Sequence, residues 1–261
     1  MADRHTQPLD SAAIRVHRTG HGTPLVMLHC LGMTHHLWDC LSGLSDRYSL
    51  ISYDLPGHGE TALPAASYGI EELSAQLAAV LRREGIAQAH IMGISLGGLV
   101  AQCFAATEPA MVERLVLCDT TPRYTDEARA NWSVRAAAAR RDGAASLLPM
   151  IEQIWFTPAF VATEPPAVKL VRDTFRACSG EGYALACEAL GAADLRDLAA
   201  RIASPTLVIC GAAESDAFKD AARWLGEHIT GARVEFVAEA AHASVLEQPV
   251  VIEKLLREFL A

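Results

Sequence analysis

The stretch His90-Ile91-Met92-Gly93-Ile94-Ser95-Leu96-Gly97-Gly98 decides the fold. Residues 89–92 are a short apolar run of the kind that forms a buried strand, and Leu99, Val100 and Phe104 beyond the serine carry helical spacing. Between them, Gly-x-Ser-x-Gly is a weak signal by itself, because glycine and serine are both common. In this setting it reads as a sharp strand-to-helix turn that exposes the Ser95 hydroxyl at a helix N-terminus, with glycines admitting close approach of helix and strand. A plain glycine-rich turn is the competing reading, and the flanking strand and helix weigh against it.

Outward from this turn, apolar runs at residues 13–16, 25–28, 49–53, 114–117, 206–210 and 233–237 predict further strands. Helical patterns lie between several of them. Ile70, Leu73, Leu77, Val80 and Leu81 fall on one face with Gly85 as a stop, and Pro249 opens a last helix with Ile252, Leu255, Leu256 and Phe259 on one side. Strands alternating with helices specify an α/β core, a mostly parallel central sheet with helices on both faces. The alternation breaks over residues 122–193, where no strand pattern appears and Pro158, Pro165 and Pro166 punctuate helical sequence. The expected organisation is a core of residues 1–121 and 194–261 carrying a helical lid of residues 122–193.

A serine hydroxyl is a poor nucleophile without a base, so a histidine oriented by an acid should follow in the chain. His242, in Ala240-Ala241-His242-Ala243-Ser244, stands after the last strand and before the terminal helix. The acid is expected in the loop Gly211-Ala212-Ala213-Glu214-Ser215-Asp216, with Glu214 first, Asp216 as the alternative, and Asp119 at the end of an earlier strand third. A helix cap or a solvated charge is the competing reading for each. Charge developing on a carbonyl oxygen needs two backbone N–H donors, assigned to Leu96 after the nucleophile and to Leu31 in the turn His29-Cys30-Leu31-Gly32-Met33. Nothing pairs Cys30 with a base, which disfavours a thiol nucleophile. His29, His35, His36 and His58 lack the spacing of a metal site, so neither metal nor cofactor is expected. The turn Asp54-Leu55-Pro56-Gly57-His58-Gly59 reads as architecture.

Composition narrows the partners. The 261 residues are 51% hydrophobic and 20% charged, ordinary globular usage, and 22 Lys+Arg against 31 Asp+Glu give a formal net charge of −9. That charge opposes binding to nucleic acid or an anionic membrane surface, and it means that an anionic substrate has to be met by a specific cation inside the site. Seven cysteines show no paired-ligand spacing, the N-terminus is polar, and no apolar run approaches the ~18 residues of a membrane span. A cytoplasmic protein with free thiols is expected, its partner a small-molecule lactone or ester, with no nucleic acid and no membrane. No sequence feature sets the oligomeric state.

Over residues 16–260 the chain resembles bacterial 3-oxoadipate enol-lactonases, a family of the α/β-hydrolase superfamily. The likeness runs through Tyr53-Asp54-Leu55-Pro56-Gly57-His58-Gly59, the nucleophile turn, Trp132-Ser133-Val134-Arg135, Trp155-Phe156-Thr157-Pro158-Ala159-Phe160, Glu181-Gly182-Tyr183 and Ala193-Asp194-Leu195-Arg196. The core motifs specify the superfamily, and the Trp-Phe-Thr-Pro and Glu-Gly-Tyr segments point to this family. The family usually has Asp where Glu214 stands, and often a small polar residue at the positions of Cys30 or Met33. The resemblance implies an α/β-hydrolase fold and hydrolysis of 3-oxoadipate enol-lactone to 3-oxoadipate through an acyl-enzyme, in aromatic catabolism by the β-ketoadipate pathway. The acetate arm of that substrate calls for a cation. Arg135, three residues after Trp132 and on the same helical face, is the candidate, with Trp132 and Trp155 as pocket walls. A solvated arginine and ordinary packing are the competing readings of these three. A carboxylesterase or carbon–carbon bond hydrolase with the same triad is the alternative function, followed by a ligand receptor that keeps the fold without turnover.

Overall fold

The protein is described from a computed structural model covering residues 9–261. Residues 1–8, most of the stretch read as carrying no secretion signal, lie outside the described residues. Seven strands, β1 (Val16–Gly20), β2 (Thr23–Leu28), β3 (Tyr48–Tyr53), β4 (Ala89–Ile94), β5 (Val112–Cys118), β6 (Thr206–Gly211) and β7 (Arg233–Val237), form one sheet in the order β1-β3-β2-β4-β5-β6-β7. Only β1 runs antiparallel, against β3.

Every residue of β3, β4 and β6 is buried, as expected of parallel strands covered on both faces. The first strand departs from expectation: it is Val16–Gly20, not residues 13–16. An edge strand is held by backbone pairing on one side and faces solvent, so the polar sequence Val-His-Arg-Thr-Gly carries no apolar signal, while Ile14 is buried in the core beside it.

Helices α1 (Ile70–Arg83), α2 (Leu96–Thr107), α9 (Asp216–His228) and α11 (Pro249–Phe259) cover the sheet. In α1 the Glu72 carboxylate accepts from the Gly69 N–H at 2.7 Å, Ile70, Leu73, Leu77 and Leu81 are buried, and the helix stops before Gly85. Between β5 and β6 the chain is helical, forming α3 (Asp126–Asp142), α4 (Leu148–Trp155), α5 (Pro158–Ala162), α6 (Pro166–Ala177), α7 (Gly180–Ala192) and the short α8 (Arg196–Ala199). This span leaves and re-enters the core at one point. Arg123 and Asp194 form an antiparallel bridge, and the Leu195 N–H donates to Pro122 O at 2.8 Å.

Close backbone packing also ties the span to the core. A Cβ on Gly182 would lie 2.1 Å from Gly57 O, so the Glu-Gly-Tyr and Pro-Gly-His-Gly segments meet backbone to backbone where no larger residue fits. Because β2 and β4 to β7 are parallel, the loops following them emerge at one edge of the sheet, where ligands bind in open α/β sheets. Those loops carry Leu31, Ser95, Asp119, Glu214 and His242.

Candidate active site

The turn at Ser95 is tight because glycine stands wherever backbone meets backbone. A Cβ on Gly93 would lie 2.1 Å from Gly97 O, and one on Gly97 would lie 2.1 Å from Leu28 O. Ser95 itself adopts φ +51° and ψ −113°, a conformation that costs a non-glycine residue about 1–3 kcal/mol and survives only where its surroundings enforce it. The end of β5 supplies that enforcement. Ser95 N–H donates to Cys118 O at 3.0 Å, and the Thr120 hydroxyl donates to Ser95 O at 2.8 Å.

His242 lies with its Nε2 3.1 Å from Ser95 Oγ and its Nδ1 2.8 Å from Glu214 Oε2. Glu214 accepts a hydrogen bond from Nδ1–H, which leaves Nε2 as the acceptor for the serine hydroxyl. All three side chains are buried. Glu214 also accepts from the Ser215 N–H at 2.8 Å. Burial raises its carboxyl, but His242 and Ser215 outweigh burial and hold it below the ordinary value. For His242 burial lowers basicity, and Glu214 first and Asp119 next more than offset this, so the imidazole is raised above 6.5.

The other two candidate acids do not reach the imidazole. Asp216 is exposed at the start of α9 and pairs with Lys219 at 2.8 Å. Asp119 is fully buried, but its carboxylate accepts from Gly211 N–H at 2.9 Å, Ser244 N–H at 3.2 Å and Ser244 Oγ at 2.6 Å. It braces the loops that bear Glu214 and His242, and burial, opposed by His242, pushes its carboxyl up to about 7.

Leu96 opens α2, where a backbone N–H has no intrahelical partner, and Leu31 lines the cavity beside Ser95. The Leu31 turn closes through Met33 N–H to Cys30 O at 3.1 Å. His29 pins it: Nδ1 donates to Cys30 O at 2.8 Å and Nε2 accepts from Leu55 N–H at 2.8 Å. Burial and the neighbouring His58 lower His29 to about 3, so it is a neutral structural group. Burial pushes the Cys30 thiol up, which keeps it protonated.

Above Ser95 opens a cavity of about 830 Å³, within the range of small-molecule sites. Trp132, Trp155 and Arg135 all line it. The Arg135 guanidinium lies 4.2 Å from the centre of the Trp132 ring and donates to the Tyr183 hydroxyl, and its buried Nε has no partner. Arg123, also on the wall, is by contrast paired with Asp126 and Asp194. Among the described residues lining the cavity, Arg135 is thus the cation without a carboxylate partner, and it is half-buried.

Several wall residues have no local sequence signal. Phe218 of α9 packs edge-on against His242, with ring centroids 4.8 Å apart, and Tyr124 packs against both Phe218 and Trp132. Behind the wall, Tyr183 of the Glu-Gly-Tyr segment accepts from Arg135. Glu247, buried beneath the histidine loop, carried no signal.

The alpha/beta hydrolase family model matches residues 25–255. The chain is 34% identical to 3-oxoadipate enol-lactonase 2 of Acinetobacter baylyi, over 90% of this chain and 89% of that one. It is 33% identical to the pimeloyl-[acyl-carrier protein] methyl ester esterase of Chromobacterium violaceum, over 94% and 97%. The crystal structure of the enol-lactonase from Burkholderia xenovorans LB400 superposes with a TM-score of 0.90 at 32% identity, covering 95% of this chain and 96% of that one.

Proposed function

The chain belongs to the alpha/beta hydrolase family, and from that premise we propose that it hydrolyses 3-oxoadipate enol-lactone through a Ser95–His242–Glu214 triad. The observation that carries this reading is the hydrogen-bonded series Ser95 Oγ, His242 Nε2, His242 Nδ1 and Glu214 Oε2 at the floor of a cavity whose wall holds Arg135. Likeness to two enol-lactonases over nearly the whole chain supports the substrate.

In this mechanism Ser95 Oγ attacks the lactone carbonyl while His242 Nε2 takes its proton, and Glu214 stabilises the resulting imidazolium. The oxyanion accepts from Leu31 and Leu96 N–H groups. Collapse breaks the ring C–O bond, His242 returns the proton to the departing enol oxygen, and the enol tautomerises to a ketone. Water activated by His242 then cleaves the acyl-enzyme and releases 3-oxoadipate. Arg135 binds the acetate arm, with Trp132 and Trp155 as walls, and residues 122–193 act as a lid over a core of residues 1–121 and 194–261. The setting is a cytoplasmic enzyme of aromatic catabolism with no cofactor.

Loss of the lactone's ultraviolet absorbance, followed with purified protein and a Ser95→Ala control, tests this. Catalysed loss that disappears in the control is expected; no catalysed loss removes the lactonase assignment. A carboxylesterase is the second reading, favoured by a cavity roomier than a monocyclic lactone requires. Turnover of uncharged acyclic esters in preference to the lactone selects it.

A further inference from the structure

We propose that Glu247 is a positioning residue that locks the histidine loop to the wall segment Trp155-Phe156-Thr157, so that base and pocket wall move as one unit. Glu247 ends the short helix α10 (Ser244–Glu247) and is 6% exposed. Its Oε1 accepts from both Thr157 N–H and Thr157 Oγ1, each at 2.8 Å, and its Oε2 accepts from Ala241 N–H at 2.6 Å. A buried carboxylate is costly unless compensated, and here all the compensating donors belong to two segments far apart in sequence. One arm holds the residue next to His242, and the other holds the start of α5. A parallel backbone bond, Ala243 N–H to Trp155 O at 2.9 Å, closes the joint on the far side of His242. The Trp155 ring lies 6.2 Å from the His242 ring, centre to centre, so a shift of this wall reaches the imidazole.

The chemistry of the joint makes it selective. Both carboxylate oxygens act only as acceptors, whereas a glutamine keeps one acceptor and turns an NH2 toward a donor. With two donors on Oε1, the amide oxygen stays with Thr157 and the NH2 faces Ala241 N–H. Glu247→Gln therefore releases the histidine side of the joint while preserving shape. Thr157→Val instead removes one donor from the wall side and leaves the Thr157 N–H bond available.

This inference rests on His242 acting as the base, and the test separates the two. Hydrolysis of p-nitrophenyl acetate by wild type and Ser95→Ala is measured first; equal rates overturn the triad reading itself. Otherwise Glu247→Gln is expected to lower kcat about 10- to 100-fold with KM changed less than about threefold, as for a misplaced catalytic group. Amide hydrogen exchange, which needs no activity, is followed over residues 155–158 and 240–244. Faster exchange over 240–244 is expected in Glu247→Gln, and in Thr157→Val the expectation includes the distant 240–244 segment as well as 155–158. The proposal is overturned if Thr157→Val leaves 240–244 unchanged, or if Glu247→Gln lowers the melting temperature while kcat stays within twofold of wild type.

Discussion

The loops at the C-terminal edge of the sheet and the helices between β5 and β6 build facing walls of one cavity by different physics. On the sheet side, backbone fixes position: glycines pass within contact of main-chain oxygens, Ser95 is held at positive φ, and Cys118 O, Thr120 and Asp119 brace the serine and histidine loops. On the helical side, side chains fix position, through the stack of Arg135 on Trp132 and the edge contact of Tyr124 with Trp132. In the proposed reaction, bond making therefore depends on a geometry with little tolerance, and substrate choice on packing that can be exchanged residue by residue.

That division is open to attack at several strengths. The largest effect belongs to the sheet side: Ser95→Ala should lower kcat by about 10⁵-fold or more while the unfolding temperature barely moves, and residual turnover near wild type would move the chemistry elsewhere. Next, Glu214→Gln should cost about 10³- to 10⁴-fold in kcat and Asp216→Asn less than about twofold. The reverse order would exchange the two carboxylates. pH sharpens the same point. His242 must be neutral to accept the serine proton, and it is raised above 6.5, so kcat/KM should fall as pH drops through a midpoint above 6.5. Removing Glu214 should move this limb to lower pH, and Asp119→Asn should move it the same way by less.

On the helical side, Arg135→Ala should raise KM for the lactone about 10- to 100-fold, with kcat within a few-fold and an uncharged ester unaffected. Equal loss for charged and uncharged substrates would make Arg135 a packing residue. The smallest effect is expected where the two sides touch. Gly182→Ala forces a methyl against Gly57 O and should destabilise by about 1–3 kcal/mol, read as a lowering of the thermal midpoint by several degrees. Unchanged melting would show that the helical span is held elsewhere.

The same contrast explains what the sequence disclosed. A strand, a sharp turn and a helix each impose residue types at fixed spacing, so the surroundings of Ser95 and the loop position of His242 were legible without coordinates. Glu214, Asp216 and Asp119 could be ranked, with Glu214 first, but on local sequence all three are acidic residues near strand ends, and only the tertiary arrangement shows Asp119 bonded to Gly211 and Ser244. Edge strand β1, at Val16–Gly20 where residues 13–16 are expected, lacks an apolar face to mark it. On the helical side, local pattern gave only helices. The meeting of Arg135 with Tyr183, 48 residues away, depends on tertiary packing and leaves no local trace, and the same holds on the sheet side for Phe218 of α9 against His242.

The bridge between Arg123 and Asp194 has an evolutionary consequence. Since the helical span enters and leaves through one doorway, a lineage can swap the entire cassette for another of different length without re-registering a single strand. The newcomer inherits one obligation from Glu247: it has to offer that buried anion donors of its own, or the host must surrender the carboxylate with the old cassette.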